Sequence, residues 1–272
     1  MITPTDLFGM GPEVPIRLHP NLSKRIYLYN RKQKQLVVQG IHDYLYQFFG
    51  SSSINYEVDS TGHELPQSLK NINRTCVRVP KNTTAEELEA CFTASPNQEF
   101  IQLDGDFNGN LCPNSAILGA EHLRVISNEG HGDEILLGFR GKRFDCDCPF
   151  HDATIVQFLN EWKSNRGFHN LESLIINSCK SKKYYDVMLL KDMDVQQLDR
   201  PQDTLHITWQ TRYSYPIVKA MGSTKLWKVG FSSRDYLIRN GDGVEASVFI
   251  EDHDVCFALW KGNSCEVKNI NG

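Results

Sequence analysis

The stretch "LESLIINSC", Leu171 to Cys179, places apolar side chains at Leu171, Leu174 and Ile176 and a small polarisable one at Cys179. Residues two apart on a strand share a face. Leu174 and Ile176 therefore enter a core, while Ile175 and Asn177 face the other way. The shorter pattern apolar-x-apolar-x-x-polar recurs along the chain. "YEVDST" gives Tyr56, Val58 and Thr61; "VRVPKN" gives Val77, Val79 and Asn82; "IQLDGD" gives Ile101, Leu103 and Asp106. "LRVISN" gives Leu123, Val125 and Asn128, "FDCDCP" a looser fit at Phe144 and Cys146, and "LHITWQ" gives Leu205, Ile207 and Gln210. The leading apolar residues stand at 56, 77, 101, 123, 144, 174 and 205, in steps of 21, 24, 22, 21, 30 and 31.

The full pattern at 171–179 is the leucine-rich-repeat core, and the first four steps lie in the range of about 20–29 residues for such repeats. The last two exceed it. The intervening segments read as helices. "TTAEELEACF" sets Thr84 and Glu87 in capping-box spacing. "DATIVQFLNEW" puts Ile155, Phe158, Leu159 and Trp162 on one helical face, with Asp152 as N-cap. "GIHDYLYQFF" offers Ile41, Tyr44, Leu45 and Phe48. "YYDVMLLKDMDVQQL" offers Val187, Leu190, Met193 or Asp194, and Leu198 as a rougher helix.

The expected fold is α/β, a leucine-rich-repeat-like curved solenoid of strand–helix units with β-hairpin caps. One cap is expected from Ile26–Tyr29 and Leu36–Val38. The other comes from the antiparallel segment after Asp235, where Asn-Gly marks a hairpin turn and Val244, Ala246, Val248 and Ile250 alternate. The domain then spans 25–262, between an irregular segment 1–24 and a tail 263–272.

"DGDFNGN", Asp104 to Asn110, begins like a calcium-binding EF-hand loop, with Asp104, Asp106, Asn108 and Gly109 in place. The twelfth position should be a bidentate Glu and is Ser115, and Pro113 breaks any helix leaving the loop. A repeat corner explains the stretch better. Asp106 then stands where an Asn side chain usually holds the backbone of the neighbouring turn.

Composition narrows the class. The 272 residues are 40% hydrophobic and 23% charged with a net charge of −4, ordinary for a globular protein without a nucleic-acid-binding surplus of base. No run reaches the roughly 18 apolar residues of a membrane helix. "MITPTDLFGMGPEVP" lacks the basic and apolar regions of a signal peptide, so a cytoplasmic or nuclear protein is expected, with the sequons at Asn21, Asn73 and Asn82 unused. Eight scattered cysteines suit free, buried thiols.

Catalytic signatures are few. Cys146, Cys148 and His151 in "CDCPFH" could meet a metal or form a Cys-His centre, and this is the alternative function. No second ligand pair stands nearby, and no phosphate-binding glycine motif or nucleophile elbow occurs. "WQTRYSY" bunches interface-type residues at Trp209, Arg212, Tyr213 and Tyr215. The leading expectation is a non-catalytic protein without cofactor or metal, binding another protein through its open sheet face. In the expected register that face carries Glu57, Asp59, Arg78, Gln102, Asp104, Arg124, Asp145, Asp147, Ile175, Asn177, His206 and Thr208. Its acids at 57–59 and 145–147 suit a basic partner.

Several segments together resemble one family. "IHDYLYQFFG", "LRVISN", "FDCDCPFHDATIVQFLNEWKSNRGFHNLESLIIN" and "DYLIRNGDGVEASVFIEDHDVCFALW" are similar to the nematode F-box-associated domain, type 2. The likeness rests on Trp162 ending a helix, the strand Leu171–Ile176, the turn Ile238, Arg239, Asp242, Gly243, and the closing Trp260. It implies a substrate-recognition module of a ubiquitin ligase, recruiting a target protein, without membrane or nucleic-acid partners. An F-box would dock on the Skp adaptor. The first 24 residues carry no F-box helix, so adaptor binding is expected only of a polypeptide that includes one.

Overall fold

The computed structural model describes residues 17–18, 27–28, 31–49, 56–60, 64–178, 185–199, 203–211, 227–261 and 264–269. In chain order, β1 (Arg17–Leu18) pairs with β2 (Tyr27–Leu28), and α1 (Lys34–Phe49) follows. Next come β3 (Tyr56–Ser60), β4 (Ile72–Arg78), α2 (Ala85–Ala90), β5 (Phe100–Asp104), β6 (His122–Ile126) and α3 (Gly132–Gly138). Then follow β7 (Arg143–Asp147), α4 (Asp152–Lys163), β8 (Ser173–Asn177) and β9 (Gln196–Gln197). The remaining elements among the described residues are the strands β10 (Asp203–Thr211), β11 (Trp227–Ser233), β12 (Asp235–Ile238), β13 (Glu245–Glu251), β14 (Asp254–Leu259) and β15 (Ser264–Asn269).

The fold is mixed α/β around a ten-stranded sheet, ordered β3-β4-β5-β6-β7-β8-β14-β13-β12-β9. Strands β3 to β8 are parallel and neighbour one another in chain order. The rest of the sheet is antiparallel. In-register rows cross it. Thr75, Ile101, Leu123, Phe144, Leu174 and Phe257 align, and so do Val77, Leu103, Val125, Cys146, Ile176 and Val255. Every one of these is buried, and the helices pack against them. Each such apolar side chain contributes about 1.5–3 kcal/mol when fully buried.

The first strands are displaced by even numbers of residues from the expected alignment, β4 by two against β5 and β3 by four against β4. Val77 stands beside Leu103, not Ile101, and Ser60 beside Val77. An even shift keeps side chains on their face, because the side-chain period of a strand is two.

Helix α2 carries the capping box expected of Thr84 and Glu87: Thr84 Oγ1 accepts from Glu87 N at 3.2 Å, and Glu87 Oε2 from Thr84 N at 2.9 Å. In α4 the residues Ile155, Phe158, Leu159 and Trp162 are fully buried. Its N-cap is His151, one residue before the expected Asp152, and His151 makes no side-chain cap bond. Asp152 lies in the first turn, where a carboxylate meets the positive end of the helix dipole.

Several expectations fail for physical reasons. Leu36–Val38 belong to α1, not to a hairpin strand, and Val37 and His42 are the buried residues described on that helix. The segment after Tyr185 makes one short 3-10 turn, Val187–Leu190, in place of a helix. Asp186 caps it through Met188 N, and Asp194 turns the chain with φ of 49°. Leu205 does not continue the row: β10 leaves the large sheet and forms the centre of a second one, ordered β11-β10-β15. Residues 264–269, read as tail, are the edge strand β15 of that sheet. Helix α3 had no advance signal. The C-terminal hairpin is present, with Ala246, Val248 and Ile250 buried, and β13 and β14 extend the parallel strands directly.

The second sheet lies against the open face of the first at its antiparallel end. Leu205 and Ile207 pack on Ala258, with Ile175, Phe231 and Trp260 around them. Phe231 and Phe249 join the sheets at a ring separation of 6.3 Å.

Candidate functional site

Three rows of side chains occupy the sheet face opposite the helices, and their exposure rises toward the carboxyl ends of the strands. The first row is Arg74, Phe100, His122, Arg143 and Ser173; the second is Cys76, Gln102, Arg124, Asp145 and Ile175; the third is Arg78, Asp104, Ile126, Asp147 and Asn177.

The first two rows are largely internal. Phe100, His122 and Ser173 are buried, as are Cys76, Gln102 and Asp145. His122 Nε2 lies 3.0 Å from Asp145 Oδ2, each side chain about nine-tenths buried. The edge of the Phe100 ring meets His122 at 4.9 Å, and the Arg74 guanidinium covers Phe100 at 4.7 Å. At the far side Cys256 closes the second row. Burial, then the Asp254 and Asp145 charges, push its thiol up to about 12.

The third row forms the accessible rim. Arg78 is exposed, and Asp104, Ile126, Asp147 and Asn177 are half-buried. Arg78 Nε stands 3.7 Å from Asp104 Oδ2, and Asn177 donates to Asp254 Oδ1 at 2.7 Å. The rim is rigid because the parallel ladder continues past the strands into the corners. Val79 N donates to Asp104 O, Gly105 N to Ile126 O and Ser127 N to Asp147 O, at 2.9, 2.8 and 3.2 Å. Gly105 has φ of +127°, and a Cβ there would stand 3.0 Å from Val79 O. Only glycine lets the corners approach so closely.

Asp106 locks the next corner. Its Oδ1 accepts from the Ser127 hydroxyl, from Asn128 N at 2.9 Å and from Glu129 N at 3.2 Å. Burial pushes this carboxyl up, but the three bonds and the nearby His131 outweigh it, and it ionises below its ordinary value. The EF-hand-like stretch is thus a corner clamp with its carboxylate occupied by backbone donors.

A cleft of about 540 Å³ opens above these corners, at the carboxyl ends of β4 and β5. Arg78, Lys81, Asn82, Asp104, Asn108 and Glu129 supply its polar lining, and Val79 and Phe107 its apolar part. Phe107 is stacked on His131 at 4.6 Å. A smaller cavity of about 220 Å³ lies on the other side of Phe107, beside Leu118 and Ile135.

The expected binding residues therefore separate. Arg78, Asp104, Asp147 and Asn177 share the rim. Gln102 and Asp145 lie beneath it, buried, and Arg124 is half-buried between them. Ile175 packs against the second sheet. His206 and Thr208 belong to that sheet, on the face away from Leu205 and Ile207; His206 meets Ser232 Oγ at 2.8 Å and Thr208 is buried. Glu57 aligns with Arg74 and Asp59 with Cys76; their side chains lie outside the described residues, as do Arg212, Tyr213 and Tyr215. Sequence reading missed Lys81, Asn82, Asn108 and Glu129, all in corners. The signal was present in the polar turn at 104–110, since stacked corners must expose some side chains together.

The alternative centre does not assemble. Cys146 and Cys148 are buried in the core, where burial and then the adjoining Cys148 raise the Cys146 thiol well above its ordinary value. His151 is exposed and pairs with Asp133 at 2.5 Å. Among the described residues, no group of three or more His, Cys, Asp or Glu is arranged to hold a metal ion. No helix among them is long and apolar enough to cross a membrane.

The motif residues at the chain's second half are scaffold. Arg239 binds Asp242 through Nε at 3.0 Å and Nη2 at 2.6 Å, and its guanidinium lies 5.5 Å from the Trp162 ring. Trp162 in turn meets Phe257 at 4.9 Å, and Trp260 Nε1 donates to Ser247 Oγ at 3.0 Å.

Compared with protein-family models, with curated proteins and with solved structures, the chain matches none.

Proposed function

We propose that this chain is a non-catalytic protein-recognition domain, built as a leucine-rich-repeat-like solenoid and similar in role to the target-recruiting part of F-box proteins. One observation carries the reading: six parallel strands lie side by side in chain order, and their in-register corners create one continuous rim, Arg78–Asp104–Ile126–Asp147–Asn177. A rigid, preformed strip of mixed polar and apolar side chains suits a protein partner, because little ordering accompanies binding. In this reading the partner is a target marked for ubiquitination or neutralised by capture, in the cytoplasm or nucleus. Docking on a Skp adaptor would belong to an F-box joined to this domain.

The test is affinity capture from nematode extract with the whole chain and with a double variant, Ile126→Lys and Asp147→Lys, of matched melting temperature. A target-recognition rim predicts at least one protein retained by the wild type and lost by the variant. Identical captures would sink the proposal.

A further inference from the structure

Asn or Asp stands directly before glycine at Asp104–Gly105, Asn108–Gly109, Asn240–Gly241 and Asp242–Gly243, all among the described residues. Asn271–Gly272 lies outside them. Glycine has no Cβ, so its nitrogen is unshielded. That nitrogen can attack the side-chain carbonyl carbon of the residue before it. The reaction needs an N–H not committed to a hydrogen bond, an uncharged and unbonded side chain, and a backbone between them that can rotate.

The fold denies a condition at three of these pairs. Gly105 N donates to Ile126 O at 2.8 Å. The Asp242 carboxylate accepts from Arg239 Nε and Nη2 at 3.0 and 2.6 Å, bonds that hold it ionised below its ordinary value. An ionised carboxylate repels a nucleophile, and Gly243 N donates to Arg239 O at 3.1 Å besides. At Asn108 the side chain and the Gly109 N–H make no hydrogen bond among the described residues. The Asn108 backbone is nevertheless tied on both sides, its N–H donating to Thr83 O and its carbonyl accepting from Ala85 N, each at 2.8 Å.

Asn240 meets every condition. Its side chain is exposed. That side chain, the Asn240 carbonyl and the Gly241 N–H make no hydrogen bond among the described residues. The Asn240 N–H donates to Lys163 O at 2.7 Å, but this bond lies before the atoms that react. Gly241 has φ of +90°, and the nearest atom to where a Cβ would stand is Asn165 Nδ2, at 3.7 Å. The approach to Gly241 N is therefore open.

We propose that Asn240 is a site of spontaneous deamidation, singled out by its tertiary surroundings and not by the Asn-Gly pair alone. Gly241 N gives its proton to water and bonds to Asn240 Cγ; the Cγ–Nδ2 bond breaks and ammonia leaves. Water then opens the succinimide. Addition at Cγ returns an aspartate on the normal backbone. Addition at the main-chain carbonyl leaves Gly241 joined through Cγ, which is an isoaspartate. Water is the only co-reactant. The isoaspartate lengthens the main chain inside the turn closed by Gly243 N and Arg239 O, and sets a new carboxylate beside the Arg239–Asp242 pair. The inference is independent of the protein-recognition reading.

The experiment is incubation of the whole folded chain at mildly alkaline pH, beside the same chain unfolded in guanidinium chloride. Proteolytic peptides are separated and weighed, and isoaspartate is counted with isoaspartyl methyltransferase and radiolabelled S-adenosylmethionine. In the folded chain the Asn240 peptide should gain the mass difference between amide and carboxyl and take up label. The Asn108 peptide should convert about tenfold more slowly, the rate factor of opening one backbone hydrogen bond. In the unfolded chain the two should convert at similar rates. Asn240→Gln should remove the label from the folded chain. A folded-state Asn108 rate equal to or above that of Asn240 overturns the proposal. So does an Asn240 that stays intact in the folded chain while the unfolded chain converts. Label kept by the Asn240→Gln chain puts the isoaspartate elsewhere and overturns it too.

Discussion

Strands β3 to β8 and strands β14, β13 and β12 belong to one sheet, yet they are joined and covered by different means. In the parallel part, each strand meets its sequence neighbour and each corner clamps the next. The backbone ladder runs on beyond both strand ends, from Glu121 N to Gln98 O and from Glu172 N to Lys142 O before the strands, and through Gly105 N to Ile126 O after them. In the antiparallel part, β14 pairs with β8 from far along the chain, Phe257 opposite Leu174. The joint is aromatic: Trp162, Phe158 and Phe257 meet at 4.9–5.3 Å, and a second sheet covers the open face. The contrast teaches that the parallel strands are tied to their sequence neighbours through corners and shared apolar rows, whereas the antiparallel strands attach through pairings and aromatic contacts between residues far apart in the chain. The third row of side chains stays accessible where the second sheet does not reach.

The largest expected effect lies at the joint. Trp162→Ala removes a fully buried ring that Arg239 and Phe257 both contact, and should cost about 3–5 kcal/mol in urea denaturation. Hydrogen exchange should then show β13 and β14 losing protection before β4 and β5. Simultaneous loss would mean that the two parts are not energetically distinct.

The buried pair beneath the rim comes next. His122→Ala leaves the Asp145 carboxylate without its 3.0 Å partner and should cost about 3 kcal/mol. Denaturation showing a loss under about 1 kcal/mol would mean that this pair does not hold the parallel part together.

Asp106→Ala should cost about 2 kcal/mol, because three hydrogen bonds to one charged acceptor disappear. Its pH signature sharpens the point. The carboxyl ionises below its ordinary value of 3.8 in the folded chain. Its contribution is therefore complete above that value and is lost as pH falls through the lowered one. Asp106→Asn, which keeps an oxygen acceptor, should restore part of the stability and remove that part of the acid dependence. Stability measured from about pH 2 to 6 would decide it.

The smallest effect is at the α2 cap. Thr84→Ala should cost about 1 kcal/mol, and the loss should leave the antiparallel strands as protected as before in hydrogen exchange.

These differences explain what was readable. The capping box, the α4 face and the parallel strands at Ile101, Leu123, Phe144 and Leu174 were legible because each depends on residues a few positions apart. The polar corner at Asp106 was legible for the same reason, once the period placed it. The fate of Leu205 was not. "LHITWQ" satisfies the same template as its predecessors, and only the arrival of β14 beside β8 displaces it into another sheet. Nor could the pattern separate Asp145 from Asp147. Both face away from the helices, but one is buried against His122 and the other reaches the rim.

By itself the sequence determined the faces of the parallel strands, the capping box of α2 and the corner chemistry, because periodicity and capping act over a few neighbouring residues. The tertiary structure alone decided where the stack ends, which open-face residues reach solvent and which corner side chains gather into a cleft. Those depend on which element covers which, and such contacts join residues far apart in the chain whose pairing no local pattern encodes.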